Sequence, residues 1–265
     1  MPVSGDEPPL IRQLTGQASA FWGAALNWYG RETLRQRGPS EQHRHKRGIH
    51  FSKPGPVKPS ELASREIVSW YGFAAFTRNA EAVREMRQIV SIDGEPVPGN
   101  RTAGAFCRLL RARDDEAKQK LAEQFEDATL ADAPMDFGQL VLMFTRRAID
   151  RYTFKLKGPD LIGAQRVTVF QYIQQAGSPG MHLDQNKSIP LAGTLCLRDR
   201  DGFPVRITVV ASRKDKSEIR DEASVEYQEV AQGVILPASL VHQRFVNGVL
   251  HSEDRAQYSD WKPVR

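Results

Sequence analysis

Three imidazoles stand close together in the segment EQHRHKRGIH (residues 41–50): His43, His45 and His50. An H-x-H pair on an extended chain can turn two rings to one side of a metal ion, and imidazole is a good zinc ligand. The neighbours oppose that use. Arg44, Lys46 and Arg47 repel a cation, no cysteine is near, and Glu41 is the sole local carboxylate. A solvated basic loop without metal is therefore expected. With Arg31, Arg35, Arg37, Lys53 and Lys58 the same segment makes the densest positive patch of the chain, just after Trp28 and Tyr29. Clustered cations release counterions from a phosphate backbone. No nucleic-acid module is recognisable and the charge elsewhere is mixed, so no nucleic-acid partner is expected. An anionic membrane surface would be drawn to residues 41–50 by the same charges.

His182 and Asp184 in MHLDQN are of the types for an acid–base couple, with Ser178 or Ser188 as nucleophile. Neither serine lies in a G-x-S-x-G turn, and the surrounding AGSPGMHLDQNKS reads as a loop. Asp199 and Asp201 in DRDG lack the remaining ligands and closing Glu of a calcium loop, so a hairpin turn is the better reading. No catalytic residue, cofactor or metal is expected, and the chain reads as non-enzymatic. Cys107 and Cys196 are its two cysteines. They would form one bridge in an oxidising compartment, yet each sits among apolar residues where a buried free thiol is ordinary.

The scaffold for these positions follows from composition and periodicity. In 265 residues, 37 Lys and Arg stand against 32 Asp and Glu, a net charge of +5, with 40% hydrophobic and 26% charged residues. That balance belongs to a globular chain and excludes disorder and collagen-like structure. No apolar run approaches the roughly 20 residues that span a bilayer as a helix. The opening MPVSGDEPPL shows no basic region followed by an apolar one, so no secretory signal is visible in the chain.

Leu10, Ile11, Leu14, Ala18, Phe21, Trp22 and Ala25 recur three or four apart, which predicts a helix over residues 10–28. From Leu26 the period becomes two, with Trp28, Gly30, Glu32 and Leu34 on one side of a strand. Residues 38–59 read as a long exposed loop. Strands are predicted over 64–77 and 83–92, the second ending at the hairpin signal Asp93-Gly94. Residues 104–131 and 136–147 have helical spacing, with Asp136 as N-cap. Seven short strands then follow, over 152–156, 167–173, 191–197, 203–210, 225–230, 234–245 and 249–258. Their joints are Lys157-Gly158, Asp199 to Gly202, Gln232-Gly233 and Asn247-Gly248. With no helices between them, an α+β fold is expected, built on a strongly curved antiparallel β-sheet.

Phe203, Val205, Ile207 and Val209 alternate with Pro204, Arg206 and Thr208, the pattern of one covered face. Phe170 and Tyr172 oppose Val167, Val169 and Ile173, so that strand is apolar on both faces and calls for two layers of cover. Pro237 suits an edge strand or a bulge. No internal repeat is present.

In order and texture, SREIVSWYGFAAF, VREMRQIVSIDGEPV, RYTFKLKG, VTVFQYIQQ, LAGTLCLRDRDGFPVRITV and VILPASLVHQRFVNGVLHSEDRAQYSDWKPV are similar to uncharacterised exported proteins of acidobacteria. Those in turn resemble half-barrel proteins of the lipoprotein-carrier and outer-membrane lipoprotein-sorting type. The resemblance covers residues 26–97 and 135–264 and is most specific over 193–207, where G-x-L-x-L meets an Asp-Gly turn and a strand with Arg206. It implies an open, curved antiparallel sheet with helices on its concave side, a cavity able to take acyl chains, no catalytic residue, and a periplasmic or cell-envelope location. Members generally carry an export signal.

One half-barrel domain over 1–265 is thus expected, with an N-terminal helix (1–25), an exposed basic loop (38–59) and a helical insertion (98–147). Val167, Val169, Phe170, Tyr172, Leu195, Val205 and Ile207 either fill the core or line an apolar groove. Burying an acyl chain contributes about 0.8 kcal/mol per methylene, so a modest groove binds without catalytic groups. The function expected is extracytoplasmic binding of a lipid, lipoprotein or other apolar ligand. The alternative is an envelope protein–protein interaction module without a small ligand.

Overall fold

A computed structural model describes residues 8–39, 62–77, 79–130, 136–176, 190–214 and 218–264. His43, His45, His50, Ser178, His182, Asp184 and Ser188 lie outside the described residues, as does most of the basic segment.

Helix α1 (Pro9–Ala25) begins with a proline in its first turn, where no helical N–H is lost, and buries Ile11, Leu14, Ala18, Phe21 and Ala25 along one stripe. Strands β1 (Trp28–Pro39), β2 (Leu62–Phe76), β3 (Asn79–Ile92) and β4 (Glu95–Pro96) follow. Next come α2 (Ala103–Arg111), α3 (Asp115–Ala128) and two 3-10 turns, Leu140–Phe144 and Ile149–Arg151. Thr102 and Asp114 cap the helices, accepting from the Ala105 and Ala117 amides. The remaining strands are β5 (Tyr152–Ile162), β6 (Gln165–Gln174), β7 (Leu191–Arg198), β8 (Pro204–Lys214), β9 (Glu218–Ala231), β10 (Val234–Val246) and β11 (Val249–Pro263).

All strands join one open, curved antiparallel sheet in the order β4-β3-β2-β1-β11-β10-β9-β8-β7-β6-β5. Two meanders therefore meet where β1 lies beside β11, with Glu32 opposite Tyr258 and Gln36 opposite Asp254. The concave face carries the main core, closed by α1 and the turn Leu140–Phe144. A smaller cluster of Ala74, Met86, Phe106, Cys107, Leu110 and Leu121 lies where α2 packs on β2, over Gly72. No helix among the described residues is long and apolar enough to cross a membrane.

Several local expectations are corrected. Lys157-Gly158 is a bulge and not a turn: β5 continues to Ile162, Gly158 takes φ +126°, and the chain reverses at Gly163, φ +58°. Asp136 is no N-cap, since its own φ is +62° and its carboxylate accepts from the Glu85 amide at 3.0 Å. The helix expected over 136–147 is the short 3-10 turn. Pro237 lies on an interior strand between β9 and β11 and takes the bulge, at the register shift before Ser239. The far face of β6 has no full second layer, for Ile173 is 49% exposed. Both cysteines are free and sit in different clusters.

Candidate functional site

Neighbouring strands bring Phe170, Leu195 and Ile207 into one row on the concave face, with Val205 one step along β8. Tyr172 stands opposite Gly193 and sends its hydroxyl past that glycine to the Thr208 carbonyl, 2.8 Å away on β8. Val167 and Val169 alternate onto the other face of β6, Val167 buried and Val169 half-buried. The seven expected positions are thus divided between two faces.

Phe144 closes the concave row. Its ring meets Tyr172 edge-on at 5.1 Å and leans on Tyr152 at 5.3 Å. The turn that carries it is pinned where the Val141 amide donates to the Tyr227 hydroxyl at 3.0 Å. Burial pushes the Tyr172 and Tyr227 phenols well above the usual range, so both remain neutral donors or acceptors.

Toward the β4 edge of the sheet the concave face is charged. Arg87 on β3 reaches across β2 to Glu32 on β1, donating Nε to Oε2 at 2.7 Å and Nη2 to Oε1 at 3.0 Å. The same Nη2 lies 2.9 Å from Glu85, and the guanidinium stacks over Tyr71 and Phe125 at 5.0 and 4.7 Å. All three charged groups are fully buried. Glu85 also accepts from the Tyr71 hydroxyl (2.7 Å) and from the Gly138 (2.6 Å) and Asp136 (2.9 Å) amides, which ties the start of the 3-10 segment to β3. Burial raises the Glu85 pKa against the pull of Arg87. The sequence held a signal for Glu32, which falls on the buried phase of β1.

A second buried network surrounds His242 on β10. Its Nδ1 lies 2.9 Å from Asp254 and its Nε2 3.3 Å from Asp221, while Phe137 stacks on the ring at 4.8 Å. Arg244 donates to Asp221 at 2.7 Å. Gln36 donates to Asp254 at 2.7 Å and accepts from the Leu130 amide at 3.1 Å. Burial alone would lower the histidine pKa, but the hydrogen bonds and charges of Asp221 and Asp254 win and raise it above 6.5. A raised histidine pKa stabilises the fold fully below the unfolded value, and the gain is lost as pH rises through the folded one. Urea midpoints should therefore fall as pH rises from about 6.5, the unperturbed value. In His242→Gln that part of the slope disappears. Identical slopes in the two proteins would remove His242 from the linkage.

Both networks hold side chains with their partners already in place. Among the described residues no group of three or more His, Cys, Asp or Glu is arranged to hold a metal. Asp199 and Asp201 sit in the reversal between β7 and β8, where Asp201 forms a fork with Arg198 at 2.8 and 2.6 Å.

No family model matches the chain, and no curated protein matches it. Among solved structures it is similar to a putative outer membrane lipoprotein-sorting protein domain from Vibrio parahaemolyticus, at 10% identity and TM-score 0.38, covering 96% of this chain and 91% of that one. A DUF1329 family protein from Desulfovibrio piger gives 8% and 0.42, covering 96% and 92%. A LolA superfamily protein from Nitrosomonas europaea gives 10% and 0.39, covering 95% and 92%. None of these values is high enough to bear on what this chain binds.

Proposed function

We propose that the chain is a non-enzymatic, extracytoplasmic protein that binds a lipid, lipoprotein or other apolar ligand on the concave face of its sheet. Supporting this is the way that face is closed. The apolar core is closed by the 3-10 turn, which packs on β8, and by α1, which packs on that turn and on β10, instead of by a second sheet. The turn Leu140–Phe144 packs between α1 and β8, and moving it uncovers Tyr172, Leu195 and Ile207. A ligand chain entering there replaces Phe144 against the same rings, exchanging one apolar contact for another. Val205 and Phe170 extend the site along the strands, and Val167 and Val169 support it from behind. Native mass spectrometry of the purified protein should show an amphiphile adduct, and organic extraction should return acyl chains. A protein that carries none and also fails to take up a fluorescent fatty acid would end this reading.

A second reading, an envelope interaction module without a small ligand, draws on the edge strand β5, where Leu156 and Leu161 are 61% and 63% exposed. Large apolar side chains on an unpaired edge favour strand addition by a partner, while the bulge at Gly158, Pro159 and nearby lysines discourage pairing between copies. On this reading Leu161→Glu abolishes partner binding and leaves fatty-acid uptake unchanged.

A further inference from the structure

We propose that the convex side carries an oxyanion site, in the cleft between α2 and the end of β11, for a phosphate-bearing ligand. The cleft encloses about 560 Å³, with Arg108, Arg111 and Lys262 supplying charge and Tyr29, Cys107 and Pro263 supplying walls. This site is separate from the concave row and does not depend on the reading above.

Among the described residues three cations line the cleft and no carboxylate does. Arg108 and Arg111 lie three apart on α2 and so share a helix face, and Lys262 comes from β11, beside Tyr29 of β1. The negative end of a helix dipole amounts to about half a charge, too little to balance three cations. Without an anion the arrangement repels itself, and an anion relieves it. Arg111 spends one donor on the Val264 carbonyl, which fixes the guanidinium and, among the described residues, leaves its other N–H groups for a ligand. Two guanidinium forks and one ammonium suit the several oxygens of a phosphate better than a single carboxylate. The volume falls within the roughly 300–1,000 Å³ of ligand pockets, more than a bare phosphate fills. An apolar or neutral extension of the ligand lies against Tyr29, Cys107 and Pro263.

Such a phosphate belongs either to a free phosphate ester or to a lipid headgroup. Calorimetric titration with inorganic phosphate and with glycerol phosphate, at constant ionic strength set by chloride, should give saturable binding in the millimolar range. Arg108 and Lys262 are both exposed, so Arg108→Gln/Lys262→Gln should keep the wild-type thermal midpoint and bind at least tenfold more weakly. Lys155→Gln/Lys157→Gln, which removes the same charge elsewhere, should bind as wild type. Sedimentation with phosphatidylglycerol vesicles but not phosphatidylcholine vesicles, lost in the Arg108/Lys262 variant, assigns the headgroup. Vesicle binding that is absent or insensitive to that variant assigns the free ester. The proposal is overturned if phosphate gives no heat beyond that of added chloride, if the Arg108/Lys262 variant titrates like wild type, or if both variants lose equally.

Discussion

Arg87→Leu should destabilise the fold by about 3–5 kcal/mol, the range found when one partner of a buried ion pair is removed. Arg87 is 2% exposed and is shared by two carboxylates at 2.7 to 3.0 Å. Without it two negative charges face each other in the core. Glu85 keeps three other donors, the Tyr71 hydroxyl and the Asp136 and Gly138 amides. The principal penalty therefore belongs to Glu32, and Arg87→Leu/Glu32→Leu should recover most of the loss. The single variant should also regain stability on mild acidification, because protonation removes the exposed conflict and Glu85 already titrates high. Urea unfolding at two pH values reads all three effects. A single variant within about 0.5 kcal/mol of wild type, the scale of surface changes, or a double variant no better than the single, would contradict the cluster as drawn.

Gly193→Ala should be nearly as damaging, about 3 kcal/mol, at the upper end of overpacking costs. A Cβ at Gly193 would collide with the Thr208 carbonyl and lie 2.8 Å from the Tyr172 hydroxyl. Strand backbone cannot yield as a flexible side chain does. The β7–β8 pairing already lapses here, between Ala192 opposite Val210 and Leu195 opposite Ile207, with the Thr194 amide donating to the Thr208 hydroxyl instead. The added methyl also evicts the Tyr172 hydroxyl from its acceptor. Tyr172→Phe loses the hydrogen bond alone and should cost about 1 kcal/mol. Comparing the two in chemical denaturation separates the bond from the collision. A Gly193→Ala protein no weaker than Tyr172→Phe would show that the strands simply part to admit the methyl.

These expectations differ in how far the chain itself announced them. Strands with one covered face advertise themselves by period two, which is why Val205, Ile207 and Val209 could be placed before any coordinates. β5 is legible only in part because an edge strand buries little and imposes no pattern on its residues, so Lys157-Gly158 looks like a turn. The stretch after Asp136 had helical spacing, yet its shape is imposed from outside by Glu85, which takes up its amides. One position of the charged clusters is visible in the sequence, Glu32 by its phase. The other members are not. Arg87 stands two strands from Glu32, and Lys262 reaches Arg108 only once the sheet is assembled.

Adjacent strands elsewhere in the sheet follow one another in sequence, but Trp28 and Pro263 meet from opposite ends of the described chain. That joint raises the contact order, and loop-closure entropy predicts that it closes after the two local ladders have formed. Apolar alternation alone rejects a slip of one residue there and tolerates a slip of two. Gln36 bonded to Asp254 does not tolerate it. The buried Gln36–Asp254 pair thus acts as a vernier on this long-range pairing, and variants that delete it should refold to mixtures of alignments before they show any loss of secondary structure.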